Sequence, residues 1–200
     1  MKKGRIYTVV FMLIVSAFFT LLLAGANALY RPKIQENELL AERIAILYVF
    51  DIDHSGSAEE ILKRFEQNVK RTTISGVELY AYTSTEGEPA AYAVPFTGPG
   101  LWGSISGYLG VSSELEHITG LVFTNQSETP GLGGRIDELT YREQFRGLRI
   151  TDGTTLAYGE QGGGQIDAIT GATSTSNSVL RILNQLLFDT VSKLEAADNG

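Results

Sequence analysis

From Ile6 to Ala28 the chain runs 23 residues without a charged side chain, roughly 35 Å if helical. A stretch of that length matches the hydrocarbon core of a bilayer. Lys2, Lys3 and Arg5 precede it and the first 28 residues hold no acid. The basic end is therefore expected in the cytoplasm and the remaining chain on the far side, although Arg31 and Lys33 reduce the asymmetry. Ala26-Asn27-Ala28 also fits a small-x-small cleavage site, so a cleaved signal peptide competes with a retained anchor. The run exceeds the about 7 to 15 residues of a signal core, which favours the anchor.

Beyond that segment the charge balance reverses. Subtracting Lys2, Lys3 and Arg5 from the sixteen basic residues leaves 13 against 23 acids. A chain so acidic lacks the basic footprint that a phosphate backbone requires, which argues against nucleic-acid binding. Cysteine is absent, so neither a disulfide framework nor a thiolate-held iron–sulfur cluster is available. Any redox role must come from a bound organic cofactor.

Pro32 is expected to end or kink the membrane helix. Gln35 to Phe50 then reads as a second helix, with Leu39, Leu40, Ile44, Leu47 and Val49 facing something apolar. Ser55 or Ser57 is positioned to cap a short helix with Ile61, Leu62 and Phe65 on one face. Strand-like runs follow at Val77 to Tyr82, Ala90 to Phe96, Ser104 to Val111 and Ile118 to Thr124, bounded by Gly or Pro. Ile136 to Phe145 reads as a short helix, Leu148 to Thr151 as a strand, Gly162-Gly-Gly164 as a loop and Ile166 to Ile169 as a last strand. Successive strands favour an antiparallel sheet with helices segregated to one side, an α+β domain. Residues 1–29 form a stub and transmembrane anchor on this reading, 30–70 a helical stalk and 71–200 the folded domain.

Several polar motifs have bland explanations. Asp51-x-Asp53-x-Ser55-Gly56 copies the first half of a Ca2+ loop, but Leu62 stands where a bidentate Glu is needed, so a polar turn is the expected reading. His54 and His117 have no neighbours at zinc-ligand spacing. Ser104 and Ser106 lie in a strand-like run without a nucleophile elbow. Neither a metal site nor a hydrolytic catalytic residue is expected.

The helix start near the C-terminus is the richest segment. From Thr175 to Leu194, residues Val179, Leu180, Ile182, Leu183, Leu186, Leu187, Val191 and Leu194 recur at the spacing of one buried helical face. Thr173, Ser174, Thr175 and Ser176 precede or open it, and any of them can cap the first turn. The free N–H groups and dipole of that turn favour a phosphate. Gly171 and Ala172 keep the approach clear of bulk, with Asp167 just upstream. From spacing alone an ordinary N-cap rich in hydroxyls is the expected reading, since Ser and Thr crowd helix starts routinely.

Read together, Asp167-x-x-Thr170-Gly171-Ala172-Thr173 resembles the flavinylation motif of the FMN-binding domain family, which includes the C subunit of the Na+-translocating NADH:quinone oxidoreductase and the G subunit of the Rnf electron-transport complex. Gly98-Pro-Gly-Leu-Trp-Gly103 and Glu128-Thr-Pro-Gly-Leu-Gly-Gly134 extend the likeness in the same order. The resemblance implies covalent FMN, joined through a phosphoester to Thr173 by a separate flavin transferase that recognises Asp167. It also implies that Thr170, Gly171, Ala172, Leu101, Trp102, Glu128, Thr129, Leu132 and Gly133 surround the cofactor. In isolation Gly98 to Gly103 reads as a tight turn with its one aromatic packed inward, and the Pro and Gly of Glu128 to Gly133 equally read as an ordinary turn.

The expected protein is a single-pass electron-transfer subunit of an inner-membrane complex, held in the bilayer by residues 6–28, rather than a complete enzyme. Its partners would be the other subunits of an ion-translocating Rnf-type or Na+-translocating quinone reductase complex. The moderate length favours the Rnf type slightly. The rival from another class is an anchored, non-redox extracellular binding or scaffold module. Reversible FMN binding in a soluble flavin reductase is a third.

Overall fold

The computed structural model describes residues 2–83, 89–150, 155–162 and 165–198. Contacts divide the chain into two compact units, residues 1–40 and 41–200. The described residues of the first unit belong to α1 (Lys2–Val49). It is long and apolar enough to cross a membrane, and it continues through Pro32, contrary to the expected break. A proline removes one N–H from the ladder, and the turns on both sides already satisfy the remaining groups. The separate helix expected over 35–50 is thus the end of α1. Leu39, expected on an apolar face, is exposed, whereas Leu47 and Val49 are buried.

The second unit is built on a five-stranded antiparallel meander in the order β1-β2-β3-β4-β5. Its strands are β1 (Val69–Ile74), β2 (Val77–Thr83), β3 (Pro89–Pro99), β4 (Ser104–Ser112) and β5 (Ile118–Asn125). β1 escaped the sequence reading because Val-Lys-Arg-Thr-Thr-Ile carries two charges and exposes Lys70, Arg71 and Thr73, as an edge strand permits. Arg71 and Glu78 pair across its outer face at 2.7 Å.

Side chains alternate between two covered faces, so helices are not confined to one side as the succession of strands suggested. On one face Ile105, Leu109, Leu121 and Phe123 join the core completed by Val179, Ile182, Leu183 and Leu187 of α4 (Thr173–Asp198). Each such side chain withdrawn from water contributes about 2 kcal/mol before conformational entropy is counted. The side chain of Val191, expected on this helical face, lies outside the described residues. On the other face, Tyr80 and Tyr108 donate to Glu42 Oε1 at 3.0 and 2.7 Å, and Phe50 and Phe65 pack against Tyr82 and Tyr80.

Phe65 belongs to α2 (Ala58–Asn68), which begins with a complete capping box. The Ser57 N–H donates to Glu60 Oε2 at 2.8 Å, and the Glu60 N–H to Ser57 Oγ at 3.3 Å. Ser57→Ala is expected to destabilise the domain by about 1 kcal/mol, read as a lower urea midpoint at unchanged slope. The preceding turn, with its partial Ca2+-loop pattern, is closed by protein groups. Asp53 pairs with Arg64 at 3.1 Å, and the same arginine binds the Asp53 and Ser55 carbonyls.

The helix expected over Ile136 to Phe145 is instead three short pieces: Gly133–Asp137 and Glu143–Phe145, both 3-10, flank α3 (Leu139–Arg142). Ile136, Tyr141 and Phe145 all enter the main core. Their spacings of five and four cannot share one face of a straight helix, so the chain breaks at Glu138, which is extended.

Leu148 to Ile150 makes only an isolated bridge, His117 with Arg149, and Thr151 lies outside the described residues. Of the expected loop at 162–164, Gly163 and Gly164 also lie outside them. Ile166 to Ile169 is not a strand. Side chains take over its ladder, since the Asp167 N–H donates to Gln144 Oε1 at 2.6 Å and the Ile169 N–H to Ser176 Oγ at 3.1 Å.

An ionic cluster closes the sheet near β5. Arg146 holds Glu143 at 2.8 Å, donates to the Thr119 carbonyl and stacks on Tyr48, whose hydroxyl donates to Glu143. The hydrogen bond from Arg146 is the main cause holding the Glu143 carboxyl below its ordinary range. A depressed pKa contributes stability above the unfolded value, and that contribution disappears as pH falls through the folded value. The destabilisation caused by Glu143→Gln should therefore shrink in urea melts between about pH 7 and about pH 3.

Candidate functional site

The site forms where three separate segments converge on the first turn of α4. A cleft of about 330 Å3 is lined by Leu101, Glu128, Thr129, Leu132, Gly133, Gly171, Ala172, Thr173, Ser174 and Thr175. It lies within the size range of small-molecule sites. Eight of the eleven residues singled out from the sequence line it. Asp167 and Thr170 stand exposed on the approach to the helix, and Trp102 is 71% exposed beside the cleft.

Local chain chemistry explains how the segments reach it. Pro130 and Gly131 make a turn in which Gly131 has φ +75°, and the Leu132 and Gly134 N–H groups donate to the Thr129 carbonyl. This places Leu132 at the cleft with Gly133 behind it. On the opposite wall Gly171 has φ +79°, a conformation that disfavours any side chain. A Cβ there would stand 3.3 Å from Leu132 Cδ2.

Ala172 then leads into α4, accepting from the Ser176 N–H at 3.0 Å. Thr173 follows as the first helical residue, exposed. The N–H groups of Thr173, Ser174 and Thr175 fall in the first turn, where an α-helix supplies no acceptor. A hydroxyl open to reaction therefore sits beside donors suited to an anion.

The deeper hydroxyls of the Ser/Thr run serve the fold. Ser176 is fully buried, its Oγ receiving the Ile169 N–H and its carbonyl receiving the Tyr158 hydroxyl at 3.0 Å. Tyr158 in turn lies 2.6 Å from Tyr141, and burial pushes its pKa up to about 12. Thr175 is buried and donates to Glu128 Oε2 at 2.5 Å. Ser174 and Thr175 were absent from the residues assigned to the cofactor. The signal available was their place in the run after Thr173, while the carboxyl 47 residues away was invisible to spacing.

The cleft fits a flavin mononucleotide in chemistry. Leu101 and Leu132 remain 55% and 45% exposed at its edge, apolar surface that a ring can cover. The first-turn N–H groups match a phosphate, and Gly133 and Gly171 let the main chain come close. No cluster of three metal-ligating side chains occurs among the described residues.

Comparison with known proteins agrees with this chemistry. Residues 100–187 match the FMN-binding domain family. The chain is 33% identical over 116 residues to the C subunit of the Na+-translocating NADH-quinone reductase of Pasteurella multocida, covering 54% of this chain and 45% of that protein. It is 37% identical over 105 residues to the G subunit of the ion-translocating oxidoreductase complex of Methanosarcina acetivorans, covering 52% and 54%. The chain thus spans about half the length of the curated relatives it matches.

Among solved structures, Shewanella oneidensis NqrC superposes with a TM-score of 0.67 at 20% identity, over 80% of this chain and 98% of that one. The C subunit of the Na+-translocating NADH-quinone reductase from Parabacteroides distasonis gives 0.64 at 25% identity, over 82% and 96%. The antiparallel-sheet fold expected from the sequence is therefore the fold observed.

Proposed function

We propose that this chain, whose residues 100–187 match the FMN-binding domain family, is a membrane-anchored electron-transfer subunit of an ion-translocating oxidoreductase complex, with FMN esterified through its phosphate to Thr173. The observation that carries the reading is Thr173 itself: an exposed hydroxyl on the first turn of α4, at the wall of a cleft that Leu101, Leu132, Gly133 and Gly171 also line.

When bound, the flavin supplies the uptake and release of electrons. The chain's own residues hold and surround it. The free N–H groups of the first turn compensate the phosphate charge, and Gly171 and Ala172 leave room for the ester. Leu101 and Leu132 offer apolar surface that excludes water from the ring, and Thr129 and Gly133 line the same cleft. Asp167 and Thr170 lie outside the cleft and exposed, where a flavin transferase has access to them. Covalent attachment suits a site away from the cytoplasmic FMN pool.

Residues 1–29 would serve as stub and anchor, with the positive-inside bias placing the folded domain on the non-cytoplasmic side. Partners would be the other membrane subunits of an Rnf-type or quinone reductase complex, the two classes to which its relatives belong. The test is the intact mass of the full chain produced with a flavin transferase, together with yellow fluorescence after denaturing electrophoresis. An unmodified mass refutes the covalent assignment, and colour lost on denaturation points to reversible binding.

A further inference from the structure

Glu128 is 4% exposed, and the described residues provide three donors to its carboxyl group. Oε1 receives the Leu101 N–H at 2.8 Å and the Trp102 N–H at 3.1 Å, and Oε2 receives the Thr175 hydroxyl at 2.5 Å. Its own N–H donates to Gln126 Oε1 at 2.6 Å. A single side chain thus links the loop between β3 and β4 with the first turn of α4.

The surrounding backbone closes on that group. A Cβ at Gly100 would lie 2.5 Å from Glu128 Oε1, and one at Gly133 would lie 2.5 Å from Thr175 Oγ1 and 3.0 Å from Glu128 Oε2. Two of the glycines in the Gly-rich motifs are therefore needed to admit the carboxyl group. The resemblance casts Glu128 as a flavin contact, whereas its hydrogen bonds join protein to protein.

We propose that Glu128 is a positioning residue that ties the Leu101–Trp102 loop to α4 and so sets the width of the cleft between Leu101 and Thr173. It acts on the flavin through Leu101 and Thr175. The brace is a property of the bare chain, and its effect on a flavin rests on the proposed function.

Trp102 is the chain's single tryptophan, so its fluorescence anisotropy reports the loop without any cofactor. In the full-length protein made without flavin transferase, Glu128→Ala should lower that anisotropy while far-UV circular dichroism is retained. Glu128→Gln should restore it, since one amide oxygen can still accept both N–H groups and the Thr175 hydroxyl can turn to accept from the amide nitrogen. A folded Glu128→Ala with wild-type anisotropy overturns the proposal, as does Glu128→Gln as mobile as Glu128→Ala. Should Glu128→Ala not fold, Glu128→Asp, which keeps the carboxyl but shortens its reach, takes its place with the same expected fall.

With the transferase present, loaded Glu128→Ala should show an altered visible circular dichroism band for the flavin, with Glu128→Gln unchanged. An unaltered band in Glu128→Ala overturns the control of cleft width. If wild type itself carries no flavin, the proposed function fails, and the anisotropy still decides the role of Glu128.

Discussion

Thr173→Ala is expected to abolish the flavin adduct completely, giving a colourless chain at its unmodified mass even when flavin transferase is present. The argument is chemical: alanine has no oxygen to carry the phosphoester, while the neighbouring hydroxyls are differently placed. Thr175 is buried and committed to Glu128, and Ser176 is fully buried. Ser174 is exposed one residue on, but the helix turns it by about 100° from Thr173. Stability should change by less than about 1 kcal/mol, because Thr173 is exposed and alanine is a good helix former. An adduct retained at wild-type level in Thr173→Ala would remove the assignment.

The largest stability effect is expected at Gly107, in β4 and outside the cleft. A Cβ there would overlap the Val122 carbonyl oxygen and approach Phe96 Cζ at 2.8 Å and Phe123 Cα at 3.0 Å. Two of these are backbone atoms of the paired strand β5, at the point where the β4–β5 register shifts between Ser106 and Gly107. Relief therefore requires parting a ladder over the main core rather than rotating a side chain. Gly107→Ala should cost about 3 kcal/mol, at the upper end of ordinary overpacking. Urea denaturation reads this as a lower midpoint with the same slope. A variant indistinguishable from wild type would show that the strands yield there at no cost.

The same contrast runs through the site. Of Asp167 to Thr173, local spacing showed a helix start rich in hydroxyls, which the structure has at Thr173, while its reading as a flavin attachment point came through family likeness. Leu101 and Leu132 were reached only through family likeness, and the structure then brings them to the helix start within one cleft. The brace from Glu128 to Thr175 was not legible, since it joins residues 47 apart and depends on glycines that admit a carboxyl group. Trp102 looked like a pocket aromatic in a Gly-rich loop, yet its side chain stands largely in solvent.

Local periodicity determined the apolar N-terminal helix, four of the five strands and the long C-terminal helix, because each is a pattern written on consecutive side chains. Tertiary packing decided the others. Ile136 to Phe145 breaks into three turns so that three apolar side chains can reach one core, and Ile166 to Ile169 gives up its ladder to acceptors from Gln144 and Ser176. The two-sided sheet follows the same logic, since strand order along the chain says nothing about which helix covers which face. Interactions between residues far apart in sequence are set by the shape of the folded chain, and no local spacing encodes them.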